Sequence, residues 1–284
     1  MRLISLILLF LLSGTVSAQK VEWYTTTQTS PWVKQKVKPE RVTTGAEIVL
    51  DPTLRLQLIM GIGGCFNEMG WDALNALSAE DREAVLQAIF SKDGACFNYC
   101  RLPMGANDFA LSFYSSADVA GDFNLVNFNI DRDRYILIPY IKAARQINPD
   151  LRIWASPWCP PAWMKTNNHY ASAVRPSGEK DVNGLLPREA ITEFSTGFRM
   201  EEGYLKTYAD YFARFIKAYE AEGLPLECIH VQNEPCSNQV FPSCKWRTED
   251  LTFFLGHYLG PTFERENIKT DTKEKWDDIK ASLS

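Results

Sequence analysis

The feature that most constrains this chain is a rhythm repeated four times: a short apolar run, then a longer stretch whose apolar residues recur at helical spacing. The runs are Leu56 to Ile62, Phe97 to Leu102, Leu151 to Ala155 and Leu226 to Val231. The stretches between them read as helices from Trp71 to Leu77 and Ser78 to Phe90, then about Asp131 to Gln146, Glu201 to Glu222 and Glu249 to Glu264. Alternation of this kind predicts βα units around a parallel sheet. Ser78, with Asp81 and Glu83 close behind, predicts an N-cap. Pro139, inside the second long helix, predicts a kink or restart there.

Ahead of this repeat, Val21 to Thr27 and Glu47 to Leu50 are β-prone stretches separated by Pro31 and Pro39, expected to form strands outside the main sheet. Met1-Arg2, the apolar run Leu3 to Leu12 and the small residues Val16-Ser17-Ala18 have the order of a secretory signal, so the mature chain is expected to begin at Gln19. Removing residues 1–18 from 284 leaves 266, enough for one large α/β domain. The apolar run is shorter than the ~20 residues of a bilayer span, so a soluble exported protein, periplasmic or extracellular, is expected. A net charge of −5 with interspersed signs offers no phosphate-tracking stripe, which argues against nucleic acid as a partner. Seven cysteines and three histidines show no closely spaced ligand pairs, so neither a metal nor a cofactor is expected. Cys236 and Cys244 are near enough in sequence to pair.

Chemistry is expected at the C-terminal ends of the strands, where a parallel βα array gathers its loops. Each run there ends in polar or aromatic residues: Gly63 to Glu68, Pro103 to Asp108, Ser156-Pro157-Trp158, and Asn233-Glu234-Pro235. Glu234 is the candidate general acid/base, since a carboxyl partly desolvated at such a mouth can hold a proton for a leaving oxygen. Asn233 is placed to donate to a sugar hydroxyl and Asp108 to accept from one, with turn or cap roles as the alternatives. Trp158 suits the apolar face of a pyranose ring, whereas Trp163 reads as packing. Arg101, inside an apolar strand, must find an anionic partner if buried. The glycine-rich Gly61-Ile62-Gly63-Gly64-Cys65-Phe66 fails as a dinucleotide fingerprint because Phe66 stands in the third glycine position. Ser156 lacks the Gly-x-Ser-x-Gly elbow of a serine nucleophile.

Four segments together resemble glycoside hydrolase family 30, which includes glucosylceramidases and enzymes acting on β-1,6-glucans and xylans: Gly61 to Phe66, Arg101 to Phe109, Ala155 to Asn167, and Val231 to Pro235. The glucosylceramidase branch is the nearer by the Pro103 to Phe109 and Trp158 to Asn167 segments. The resemblance implies a retaining β-glycosidase on a (β/α)8 barrel, with a β-sandwich side domain. In this chain it implies Glu234 as acid/base, Asn233, Asp108 and Trp158 as substrate-binding residues, and Arg101 as support for the nucleophile. It covers the N-terminal half of such a barrel, residues 55–267, preceded by a β segment of the side sandwich at 19–54 and followed by a charged tail at 268–284. The family's nucleophile comes from the seventh strand, and no residue here matches it; Glu68 and Asp108 share the active face, but neither is that group. Retention requires two carboxyls about 5–5.5 Å apart. The expected outcomes are an active glycosidase on a β-glucoside or β-glucan completed by a second polypeptide or by self-association, an inactive fragment, or a sugar-binding pseudoenzyme.

Overall fold

The computed structural model describes residues 21–38, 45, 51, 53–175 and 183–269. The expected signal segment, the Glu47 to Leu50 strand and residues 270–284 of the expected tail lie outside them. Two compact units are distinguished, Met1–Leu58 and Ile59–Ser284.

In the first unit, β1 (Trp23–Thr25) pairs antiparallel with β2 (Val33–Gln35), which bears out strand formation in the Val21 to Thr27 stretch. Trp32 closes the connection at φ 53°, its backbone N–H donating to Thr26 Oγ1 at 3.1 Å, and its ring stacks on Tyr24.

The second unit is an α/β arrangement. It runs α1 (Glu68–Asn75), α2 (Ala79–Phe90), β3 (Tyr99–Pro103), α3 (Asp131–Tyr135), α4 (Leu137–Ile147), β4 (Arg152–Ser156), α5 (Glu202–Ala221), β5 (Cys228–Ile229), α6 (Thr248–Phe254), a π-helical turn Leu255–Leu259 and α7 (Gly260–Arg265). The strands form a parallel sheet in the order β3-β4-β5. Side chains alternate across it as the pleat requires. Cys100, Leu102, Ile153, Ala155 and Ile229 are buried in the core with Leu137, Ile141 and Ala144 of α4 and Tyr208, Phe212, Phe215 and Tyr219 of α5. The alternate positions Arg101, Arg152 and Trp154 are half-buried. Helix α5 presents Leu205, Tyr208, Phe212, Phe215, Ile216 and Tyr219 as one apolar stripe, each aromatic worth about 2 kcal/mol of burial.

The expected cap forms, Ser78 Oγ accepting from Asp81 N–H at 3.1 Å to start α2, and the structure adds one the sequence did not suggest, Asn67 Oδ1 accepting from Gly70 N–H at 2.7 Å to start α1. Two expectations need correction, while the restart expected at Pro139 is borne out. Leu56 to Ile62 is not a strand; Leu56, Leu58, Ile59 and Ile62 are exposed, and backbone hydrogen bonding toward β3 begins at Ile62, whose carbonyl accepts from Asn98 and Tyr99, and reaches a single bridge, Cys65 to Arg101. The backbones meet too closely for side chains there: a Cβ on Gly63 would lie 2.2 Å from the Tyr99 carbonyl oxygen. The long second helix breaks at Ile136, because Pro139 has no N–H for the Tyr135 carbonyl and its ring crowds that oxygen. The last helix is interrupted by the π turn just before Pro261, which likewise cannot donate to His257.

Candidate active site

Parallel register brings the ends of the three strands level: Arg101 lies beside Trp154, Pro103 beside Ser156, and Ala155 beside Ile229. Three loops therefore leave from one edge. After β3, Gly105 turns the chain at φ 80°, where a side chain would meet the Tyr114 carbonyl oxygen at 3.2 Å. Asn107 then closes a short turn, its Oδ1 accepting from Phe109 N–H at 3.0 Å and its carbonyl from Ala110 N–H at 3.3 Å, which leaves Asp108 exposed at the tip.

Arg101 joins all three loops. Its Nε donates to Ser156 Oγ at 2.9 Å, its Nη2 donates to the same hydroxyl and, at 2.8 Å, to Asn233 Oδ1. Its guanidinium carbon lies 3.8 Å from the Trp158 ring centroid and 4.9 Å from that of Trp154. Burial pulls the guanidinium below its ordinary value, opposed by Cys65, Asp108 and Glu234. It stays a cation in the physiological range. Beside it, burial pushes the Cys65 thiol up to about 12, with Arg101 pulling the other way, so Cys65 is a protonated neighbour rather than a thiolate nucleophile.

The loop after β5 is held by Gln232, a residue to which sequence reasoning gave no role. Its buried side chain donates from Nε2 to the Trp158 carbonyl at 2.7 Å and the Asn233 carbonyl at 2.8 Å, and its Oε1 accepts from Trp246 Nε1 at 3.3 Å. Asn233 N–H donates to the Pro157 carbonyl at 2.8 Å. Glu234 follows in a left-handed conformation, φ 46°, exposed, with Gln239 Nε2 donating to its Oε2 at 3.0 Å. The signal that could have found Gln232 is an amide directly after an apolar strand, which must satisfy its polar atoms if buried.

The structure thus brings Arg101, Trp158 and Asn233 into contact and puts Asp108 and Glu234 in the electrostatic reach of Arg101. Trp158 is only 6% exposed, with the guanidinium over one ring face. Trp163 packs as expected, donating from Nε1 to the Ala117 carbonyl at 2.8 Å and meeting Phe123 edge-on.

Glu68 does not stand open on the active face. Buried, it receives Arg132 through two 2.7 Å bonds and Leu111 N–H at 2.8 Å, which commits both its oxygens to structure. Lys165 is a second group without a sequence-derived role. It is fully buried, donating to the carbonyls of Tyr170, Ala171 and Ser243 and to Ser172 Oγ, and so clamps the loop after β4 to the loop after β5. Cys236 and Cys244 are both free: Cys236 is exposed, while Cys244 is buried against Gly197. Among the described residues no cluster of His, Cys, Asp and Glu could hold a metal ion, and no helix is long and apolar enough to cross a membrane.

Comparison with known proteins finds relatives of this chain. Residues 59–184 match the glycosyl hydrolase family 30 TIM-barrel domain. A putative glucosylceramidase 4 of Caenorhabditis elegans is 30% identical over 271 residues, 92% of this chain and 48% of that protein. Among solved structures, SrfJ from Salmonella typhimurium superposes with a TM-score of 0.68 at 26% identity, over 87% of this chain and 53% of its own. An endo-β1,6-glucanase superposes with a TM-score of 0.67 at 27% identity, over 88% and 51%. The chain spans about half the length of the curated relatives it matches. The resemblance to family 30 read from the motifs is therefore shown.

Proposed function

We infer that this glycoside hydrolase family 30 chain contributes the acid/base side of a retaining β-glycosidase acting on β-glucosidic bonds, with Glu234 protonating the leaving oxygen. The observation that carries the reading is the bridge from Arg101 on β3 through Ser156 on β4 to Asn233 beyond β5, which makes the residue before Glu234 part of one fixed unit. With Asn233 Oδ1 taken by Arg101, its Nδ2 is the end left to donate to a sugar hydroxyl. Asp108 supplies an acceptor at the same mouth. Trp158, 6% exposed, acts on the sugar by holding the Arg101 guanidinium against its ring rather than as an open platform. The substrate class, a β-glucoside or β-glucan, follows from similarity to a glucosylceramidase and an endo-β1,6-glucanase.

Retention also needs a nucleophilic carboxylate about 5–5.5 Å from the acid. Glu68 is committed to Arg132 and does not serve. Among the described residues β5 pairs only with β4, so the segment that carries the nucleophile would add to the sheet at the other edge of β5. In domain terms residues 55–267 are the first half of a barrel and residues 19–54 part of a side sandwich. Residues 1–18 direct export to the periplasm or the extracellular space.

The test is hydrolysis of an activated aryl β-glucoside by the purified chain, folded by circular dichroism, alone and in the assemblies it forms. The expected result is turnover that falls about 10²–10⁴-fold in Glu234→Gln while sugar binding persists. Turnover unchanged by Glu234→Gln removes Glu234 as the acid. Saturable sugar binding with no turnover in any assembly replaces the enzyme reading with that of a sugar-binding protein, the reading that the sequestered Glu68 favours.

A further inference from the structure

We propose that Gln239 is a positioning residue for the acid Glu234: its side-chain amide holds one carboxyl oxygen, Oε2, so that the proton given to the leaving group is carried on the other, Oε1. The proposal rests on the acid role of Glu234 argued above and deepens it from the residue to the atom. Its starting point is the way the loop after β5 folds back on itself. The left-handed Glu234 opens a turn that Ser237 N–H closes by donating to the Glu234 carbonyl at 3.0 Å, and the reversal returns Gln239 to the Glu234 side chain. The Gln239 backbone is then held from outside that turn. Its carbonyl accepts from Ser172 N–H at 3.1 Å and Ala173 N–H at 2.9 Å, and its N–H donates to Ser243 Oγ at 3.2 Å. Ser172 and Ser243 supply two of the oxygens gathered by the buried Lys165. The loop after β4 therefore fixes the place of a side chain that touches the acid.

The side chain itself does none of this anchoring. Its amide makes one bond among the described residues, from Nε2 to Glu234 Oε2 at 3.0 Å, whereas the neighbouring Asn238 commits its amide to the Ile191 carbonyl at 2.8 Å. No other donor among the described residues reaches the Glu234 carboxyl, which leaves Oε1 open. In a protonated carboxyl the carbonyl oxygen is the better acceptor, so a donor on Oε2 favours the proton on Oε1. When the bond from the anomeric carbon to the leaving oxygen breaks, its electron pair stays with that oxygen, which takes the Oε1 proton while the nucleophilic carboxylate closes on the anomeric carbon. Negative charge then develops on the Glu234 carboxylate, and the bond from the Gln239 amide becomes charge-assisted, roughly twice as strong as one to a neutral acid. A contact that strengthens along the reaction lowers the barrier rather than only the energy of the bound sugar.

The test compares two substrates in whichever assembly turns over: a dinitrophenyl β-glucoside, whose leaving group departs without a proton, and a phenyl β-glucoside, whose leaving group needs one. Gln239→Leu keeps the side-chain volume and removes the donor. It is expected to lower kcat/KM about tenfold for the phenyl glucoside and to change it less than about twofold for the dinitrophenyl glucoside, the signature of impaired proton donation rather than of a disturbed fold. Ser243→Ala, which loosens the Gln239 backbone without touching Glu234, is expected to act in the same direction by a smaller factor. An equal fall for both substrates in Gln239→Leu, or no fall for either, overturns the positioning role. Independently of turnover, the Gln239 side-chain amide, identified by its loss in Gln239→Leu, is expected to shift in heteronuclear NMR when Glu234→Ala removes its acceptor, and an unmoved amide overturns the contact. If that amide does shift while neither glucoside is cleaved, or while Glu234→Gln leaves cleavage unchanged, it is the acid reading that falls, and the positioning role with it.

Discussion

Arg101 and Asn233 are 132 positions apart in sequence and 2.8 Å apart in space, Nη2 to Oδ1, so the loop that ends β5 is oriented by a side chain planted on β3. The guanidinium can do this because its planar fork reaches Ser156 and Asn233 together while its face rests on two indoles. Orientation of the Asn233 amide is thus a property of the sheet.

Arg101→Lys keeps the charge and loses the fork. A single ammonium cannot satisfy both partners in the same geometry, so stability is expected to drop by about 1–3 kcal/mol in urea titration, and β-glucoside affinity to drop about tenfold. Equal affinity for variant and parent would show that Asn233 is oriented without Arg101.

Glu234 pays for its position with a left-handed backbone. Glu234→Gly relieves that conformation and is expected to stay within about 1 kcal/mol of the parent in thermal unfolding, while Glu234→Val, β-branched at the same φ, is expected to cost about 1–2 kcal/mol. Identical melting of the glycine and valine variants would contradict the observed φ.

Lys165 is a buried cation satisfied by neutral oxygens. Lys165→Met fills similar volume but strands the carbonyls of Tyr170, Ala171 and Ser243, so a loss of about 3–5 kcal/mol is expected in chemical denaturation. The same variant should expose the loop after β4 to proteolysis, because the clamp to the loop after β5 is gone.

Asp133 sets a pH dependence. Burial raises its carboxyl from the ordinary 3.8 to about 6, against the opposing pull of Tyr219 and Tyr114, whose hydroxyls donate to it at 2.7 and 3.0 Å. A raised acid binds its proton more readily in the folded state, so this contribution to stability is complete below about pH 4 and is lost as pH rises through about 6, by at most about 3 kcal/mol. Asp133→Asn should flatten the stability profile across that window. A profile as steep as the parent's would place the titrating group elsewhere.

Much of this molecule is legible in its sequence, and the limits have physical causes. The period-2 and period-3.6 patterns locate β3, β4 and β5, α2 and α5, because each buries one apolar face. The strand ends then point to Asp108, Trp158, Asn233 and Glu234. What the pattern hides depends on contacts between distant segments. Leu56 to Ile62 has the composition of a strand, but the close backbone approach comes after it, at Gly63 against the Tyr99 carbonyl, with a single bridge from Cys65 to Arg101. Glu68 reads as a free carboxylate until Arg132 closes on it from 64 positions away. Gln232 and Lys165 look like surface residues, and only burial reveals that their partners are carbonyls of other loops.

β4 is the middle strand, with Leu151 ahead of it and Ile153, Ala155 and Ser156 within or at its end all closed to solvent. Backbone amides there should exchange with deuterium only when the whole unit opens. Because Arg101 rests on one side of that strand and the Asn233 loop hangs from Pro157 on the other, the site has no faster way to come apart than the core itself. Its lifetime as a prepared surface is the lifetime of the fold.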